Sequence, residues 1–262
     1  MSEVDQVERI TQNRVVSLLR DQLKYHYLGN WEKRYNNSNI EKDMLRAFLK
    51  KKGYNDDLIN RAMTELNRVS GNQVRSIYDI NKEVYDLLRY GVKIKTGAGE
   101  KYETVMLIDW GDDWANNDFA FAEEVTVKGT NDKRPDIVLY VNGIALAVLE
   151  LKRAIVDVTT GIRQNLDNQD AAYIQSFFTT VQLVMAGNDT QGLYYGTTAT
   201  REKQYDFWRE DNSTIENLLD QHLTQLCSKE RMLEVIHDFI IFDYGTKKVC
   251  RPHQYFGVKA AR

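Results

Sequence analysis

The sequence predicts an α/β fold: a mixed central sheet flanked by helices, with a helical segment ahead of it. Three observations carry this. Apolar residues recur at helical spacing through most of the stretch from Glu8 to Tyr90. From Val92 to Lys152 the texture changes to short β-branched-rich segments parted by Gly, Asn and Asp. Beyond Lys152 helical and extended stretches alternate, the pattern of helices packed on a sheet.

The elements follow in order. Glu8 to Lys24 reads as a helix, with Ile10, Val15, Leu18, Leu19 and Leu23 on one stripe. Tyr25 to Asn39 is aromatic and polar, with Asn36-Asn37 as turn residues. Helices follow over Ile40–Lys52, ended by Gly53, over Asp56–Arg68, and over Ser76–Tyr90, ended by Gly91. Strands are expected over Val92–Ile94, Thr104–Ile108, Ala120–Val127, Asp136–Val141 and Ile144–Lys152. A helix over about Thr160–Thr180 comes next, then strands Gln182–Ala186 and Leu193–Thr197 around Gly187-Asn188-Asp189. Thr214–Leu226 and Lys229–Asp238 read as helices, and Phe239–Phe242 as a short apolar run. This divides the chain into a helical part over 1–75, a core over 76–210 and a helical connector over 211–262.

Composition narrows the class. A chain of 262 residues with 42% hydrophobic and 28% charged residues can bury a sizeable core. The net charge of −3 is not that of a protein that coats nucleic acid, so DNA contact must come from local patches or other subunits. Cys227 and Cys250, the only cysteines, lack metal-site spacing and suit a reducing, cytoplasmic setting. Met1-Ser2-Glu3 opens no signal peptide, and the longest apolar run, Ile144–Leu149, is too short to span a bilayer. Lys50-Lys51-Lys52 and Lys247-Lys248 are basic runs read as solvated surface. Gly97-Ala98-Gly99 reads as a hairpin turn rather than a phosphate loop.

The stretch from Arg134 to Lys152 carries the chemistry. Two apolar runs flank Asn142-Gly143, a strong hairpin signal. Asp136 opens the first strand, and Glu150 and Lys152 close the second, so the hairpin brings the three together. Register makes a demand. A two-residue turn alone pairs Asp136 with Leu149 and puts Asp136 and Glu150 on opposite faces. An odd loop with Gly143 in the left-handed region, or a bulge near Asp136, puts both acids on one face. Hard carboxylate oxygens suit Mg²⁺, with Asp136, Glu150 and the Leu151 carbonyl as ligands. Lys152 can orient or deprotonate an attacking water, or neutralise charge on a phosphate.

Pro135-Asp136 … Glu150-Leu151-Lys152 resembles the PD-(D/E)XK nuclease signature. The whole segment Arg134–Arg153, with Leu87–Lys93, Asn117-Asp118-Phe119, Gly192–Thr198 and Phe207-Trp208, resembles the nuclease core of type I restriction subunits. The tail Arg251-Pro-His-Gln-Tyr255 resembles the segment that opens that family's ATP-driven motor. The resemblance implies a restriction-endonuclease-like core. It implies Mg²⁺-dependent, non-specific cutting of double-stranded DNA after translocation, within a complex with modification and specificity subunits. It makes Arg251 and Gln254 ATP contacts of a full-length protein; this chain, without a Gly-Lys-Ser/Thr loop, should not hydrolyse ATP alone. The family's Gln-x-x-x-Tyr motif falls by position on Gln164, whose fourth successor is Asn168; an intact match is Gln169 … Tyr173. Only one glutamine can face the site, and position favours Gln164. Glu8 and Glu83 are candidates for the acidic residue related nucleases carry on a helix. Arg153 and Arg163 are the expected DNA contacts. The alternative function is a non-catalytic scaffold between motor and modification subunits.

Overall fold

The computed structural model describes residues 3–95, 101–210 and 214–261. Helix α1 (Glu3–Ser17) runs into a wider turn over Leu18–Gln22, and strand β1 (His26–Asn30) follows. Helices α2 (Lys42–Lys51), α3 (Asp56–Ser70) and α4 (Ile77–Tyr90) precede a hairpin of β2 (Val92–Lys95) and β3 (Tyr102–Val105). Strands β4 (Phe119–Glu123), β5 (Ile137–Val141) and β6 (Ile144–Leu151) lead to α5 (Thr159–Asn168), then β7 (Leu183–Asn188), β8 (Gly192–Gly196) and β9 (Asp206–Phe207). The chain continues through α6 (Leu218–Leu226), α7 (Lys229–Asp238), a hairpin of β10 (Ile240–Asp243) and β11 (Thr246–Val249), and α8 (Pro252–Ala261).

Seven strands form one sheet in the order β1-β4-β5-β6-β7-β8-β9. β1 and β4 pair in parallel, as do β6 and β7; the other neighbours are antiparallel. The sheet is therefore mixed, with helices on both faces, as the sequence predicts. One face packs on apolar residues of α2, α3, α4, α6 and α7, including Phe48, Ile59, Val84, Leu219 and Ile236. The other packs on Val158 and Ile162 at α5 and on Phe177 and Phe178. Every residue of β4, β5, β6 and β7 is buried. Strands covered on both sides read as continuous apolar runs, which is why these segments were visible in the sequence.

Helix ends follow their local chemistry. Asn55 and Ser76 accept the N–H of Leu58 and Asp79 and start α3 and α4. Gly91, at φ +75°, ends α4 where a Cβ would meet the Val105 carbonyl.

Several expectations change. The segment read as aromatic and polar supplies edge strand β1, so 1–75 is not wholly helical. The helix expected over Thr160–Thr180 stops at Asn168 and gives way to turns and a short 3₁₀ segment over Gln175–Thr179. Lys247 is not solvated surface. It is buried, and its ammonium donates to Asn81 Oδ1 and Gln182 Oε1, each at 2.7 Å. Lys50, Lys51 and Lys52 pair with Asp56, Asp118 and Asp109 in turn, and the Lys52 contact is 2.8 Å to a nearly buried carboxylate. Residues 97–99 lie outside the described residues. No helix among the described residues is long and apolar enough to cross a membrane.

Candidate active site

The β5–β6 hairpin decides whether the acids meet. Asn142 and Gly143 have φ of +53° and +80°, and Val141 pairs directly with Ile144. This is a two-residue turn with both residues left-handed, the geometry that matches strand twist. Gly143 is fixed twice, since a Cβ there would lie 2.6 Å from the Glu41 carbonyl at the start of α2. The Asn142 side chain accepts the Asp118 N–H and donates to Leu107 O and Asn117 Oδ1, holding the turn from inside.

With that turn alone the acids would face opposite ways. The register shifts between Leu139↔Ala147 and Tyr140↔Ala145, leaving Leu146 as an extra residue. Leu146 and its neighbour Ala147 both pack into the core on the same side of the sheet, as at a bulge. The displaced backbone finds other partners: Ala145 N–H donates to Asn39 O, and Leu146 O accepts from Gln182 N–H. Beyond the bulge Ile137 pairs with Leu149, so Asp136 stands opposite Glu150. Gly143 has the expected positive φ, but the loop is even, not odd. The correcting bulge lies mid-hairpin rather than near Asp136.

Glu150 is fully buried. Gln164 Nε2 donates to its Oε2 at 2.7 Å and Asn168 Nδ2 to its Oε1 at 3.2 Å. These residues are four apart on α5 and share a helix face. The helix reaches this close because Gly161 has no side chain; a Cβ there would lie 3.1 Å from Ala186 Cβ and 3.6 Å from Glu150 Cβ. Asp136 Oδ2 accepts the Leu151 N–H at 2.6 Å.

Burial raises the Asp136 carboxyl to about 6, against the pull of the Lys152 charge and the Leu151 N–H. Burial also pushes Glu150 well above the usual carboxylate range, and the Asp136 charge adds to this while Lys152 opposes it. Each carboxyl is therefore harder to ionise than an isolated carboxylate. Among the described residues, no group of three or more His, Cys, Asp or Glu side chains is arranged to hold a metal ion. Two buried carboxylates suffice for Mg²⁺, which keeps several waters and takes one or two protein carboxylates. A dication beside the two carboxylates would relieve their repulsion, so this donor set fits a hard metal ion.

Asp136, Lys152 and Gln164 line a cleft of about 900 Å³, with Arg9, Gln12, Glu124, Lys133 and Arg134 among the other lining residues. Gln169 is not at the site: it donates to Asn165 O and accepts the Ala199 N–H. Tyr173 does not line the cleft; its ring lies 4.0 Å from the ammonium of Lys133, which does. Glu83, on α4, is held by Arg75 and by Arg68 of α3, and does not line the cleft. Glu8 lies on α1, and its side chain is outside the described residues. Arg163 makes a two-pronged pair with Glu202, and neither it nor Arg153 lines the cleft. Arg251 lies 3.6 Å from Asp206, and Gln254 accepts the Arg251 N–H at the start of α8; both border a second cavity of about 410 Å³.

Sequence reasoning passed over Asn168 and Glu124. In the sequence Asn168 stands only as a departure from the family's tyrosine. Glu124 directly precedes the apolar Val125 with no pattern to mark it, and only its backbone, at φ +53°, sets it apart.

The model of the type I restriction enzyme R protein N terminus matches residues 5–203. The chain belongs to this family. Similar proteins include a subunit named for the MjaVIIIP type I restriction enzyme of Methanocaldococcus jannaschii, 28% identical over 79% of this chain and 20% of that one. The HindI endonuclease subunit of Haemophilus influenzae is 28% identical over 69% of this chain and 19% of its own length. The EcoprrI endonuclease subunit of Escherichia coli is 31% identical over 48% of this chain and 42% of its own. The chain spans about a fifth of the length of the first two relatives.

Proposed function

We propose that this member of the R-protein N-terminal family is a Mg²⁺-dependent endonuclease with a PD-(D/E)XK core, cutting double-stranded DNA without sequence preference. The observation that carries the reading is the bulge at Leu146, which sets Asp136 opposite Glu150 with Lys152 beside them. Asp136, Glu150 and the Leu151 carbonyl would hold Mg²⁺, which when bound supplies a more acidic water and charge neutralisation at the phosphate. Gln164 and Asn168 each donate to one Glu150 oxygen and so fix the orientation of this buried carboxylate behind Asp136, which lines the cleft. Lys152 lines the cleft, and its ammonium would orient an attacking water or balance charge on the scissile phosphate.

On this reading cutting follows ATP-driven translocation in a complex with modification and specificity subunits, and Arg251 and Gln254 belong to the motor's nucleotide contacts. Supporting it are the family membership and the relatives' names as endonuclease subunits. The test is plasmid cutting by the assembled enzyme. Asp136→Ala and Lys152→Ala are expected to lower cutting by about two orders of magnitude or more while ATPase is retained. Cutting at the wild-type rate by both variants would leave a scaffold as the better reading.

A further inference from the structure

Glu124 has an unusual backbone for its residue type. Its φ of +53° lies in the left-handed region, which non-glycine residues occupy at some strain. Its N–H donates to Asp136 O and the Val125 N–H to Pro135 O, so the β4–β5 ladder is irregular next to the acid pair. A left-handed residue at the end of a strand turns its side chain away from the regular ladder direction. The Glu124 carboxylate lines the cleft and bridges two cations: Oε2 lies 2.8 Å from Arg134 Nε, and Oε1 lies 3.4 Å from Arg9 Nη1. Its side chain is 12% exposed. The other partner of Arg134, Glu32, is 49% exposed.

We propose that Glu124 is a positioning residue that presents Arg134 and Arg9 to the DNA backbone, and that Arg134 exchanges Glu32 for a phosphate when DNA enters. A guanidinium has five N–H donors in a fixed fork, and the Nε contact with the sheltered Glu124 fixes the plane of that fork. The contact with Glu32 sits in water, is worth little and is readily replaced by phosphate. Arg134 and Arg9 thus take the role that sequence reasoning gave to Arg153 and Arg163. This inference rests on the nuclease reading of the cleft.

The sign of one substitution separates positioning from simple charge. Removing a negative charge from a DNA-binding cleft ordinarily tightens binding. If Glu124 positions the arginines, Glu124→Gln weakens it. The experiment is anisotropy of a short fluorescein-labelled duplex with the full-length protein, over a range of salt. Arg134→Ala is expected to weaken binding and lower the slope of log Kd against log salt by about one. Glu124→Gln is expected to weaken binding roughly fivefold, and to cost clearly less when added to Arg134→Ala, where only Arg9 is left for it to position. Glu124→Gly, which accepts the left-handed backbone without strain, is expected to lose the same affinity while remaining folded by circular dichroism. Wild-type or tighter binding by Glu124→Gln, or a loss that adds in full to that of Arg134→Ala, would overturn the positioning role. Failure of the wild-type protein to bind the duplex at all would instead remove the nuclease reading beneath it.

Discussion

Asp136 and Glu150 are an unfavourable pair for a protein interior when both are ionised with no cation beside them. Burial lifts Asp136 to about 6 in the folded chain, against 3.8 for an ordinary aspartate. Between those values the folded state binds more protons than the unfolded one, so this group's contribution to stability falls as pH rises through the window. Asp136→Asn cannot ionise and escapes that loss. Without metal, the variant should therefore gain on wild type from about pH 4 to about pH 7, by on the order of 2 kcal/mol. Urea unfolding with a chelator present checks this; a stability difference that does not change with pH would contradict the burial argument. Both acids and Lys152 were legible in the sequence because their residue types and hairpin ends are local facts. Asn168 and Glu124 were not, because one acts through a helix register and the other through a backbone angle.

At the scale of elements, the hairpin and its bulge do the positioning. The Asn-Gly turn is a short-range signal and could be read directly. The bulge at Leu146 could not. Both faces of β5 and β6 are buried, so there is no polar alternation in which a slipped residue would show. Only the demand that Asp136 and Glu150 share a face pointed to it. The edge strand β1 was missed for a related reason: its five residues, His26–Asn30, carry no apolar alternation and are mostly half-buried. The turn makes a further prediction. Gly143→Ala must place a Cβ 2.6 Å from the Glu41 carbonyl and 2.7 Å from Met44 Cβ, at a φ of +80°. We expect it to destabilise the protein by about 2 kcal/mol or more in chemical denaturation. A change below about 0.5 kcal/mol would mean that α2 does not press on the turn.

The whole molecule joins these pieces into one frame. A mixed sheet covered on both faces sets α5 over β6, and α5 delivers Gln164 and Asn168 to Glu150. Farther away, the buried Lys247 ties the β10–β11 hairpin to Asn81 on α4 and Gln182 ahead of β7. Burial holds its ammonium well below the usual lysine range. The layered architecture was legible because alternating helical and extended stretches allow few arrangements. The Lys247 network was not, since a Lys-Lys pair on a short strand looks like surface. The direct test of the frame is metal binding, measured by calorimetric titration of Mn²⁺ into the protein at about pH 7. Saturable binding with proton release, lost in both Asp136→Asn and Glu150→Gln, is what facing carboxylates predict. Undiminished binding in either variant would contradict the shared site.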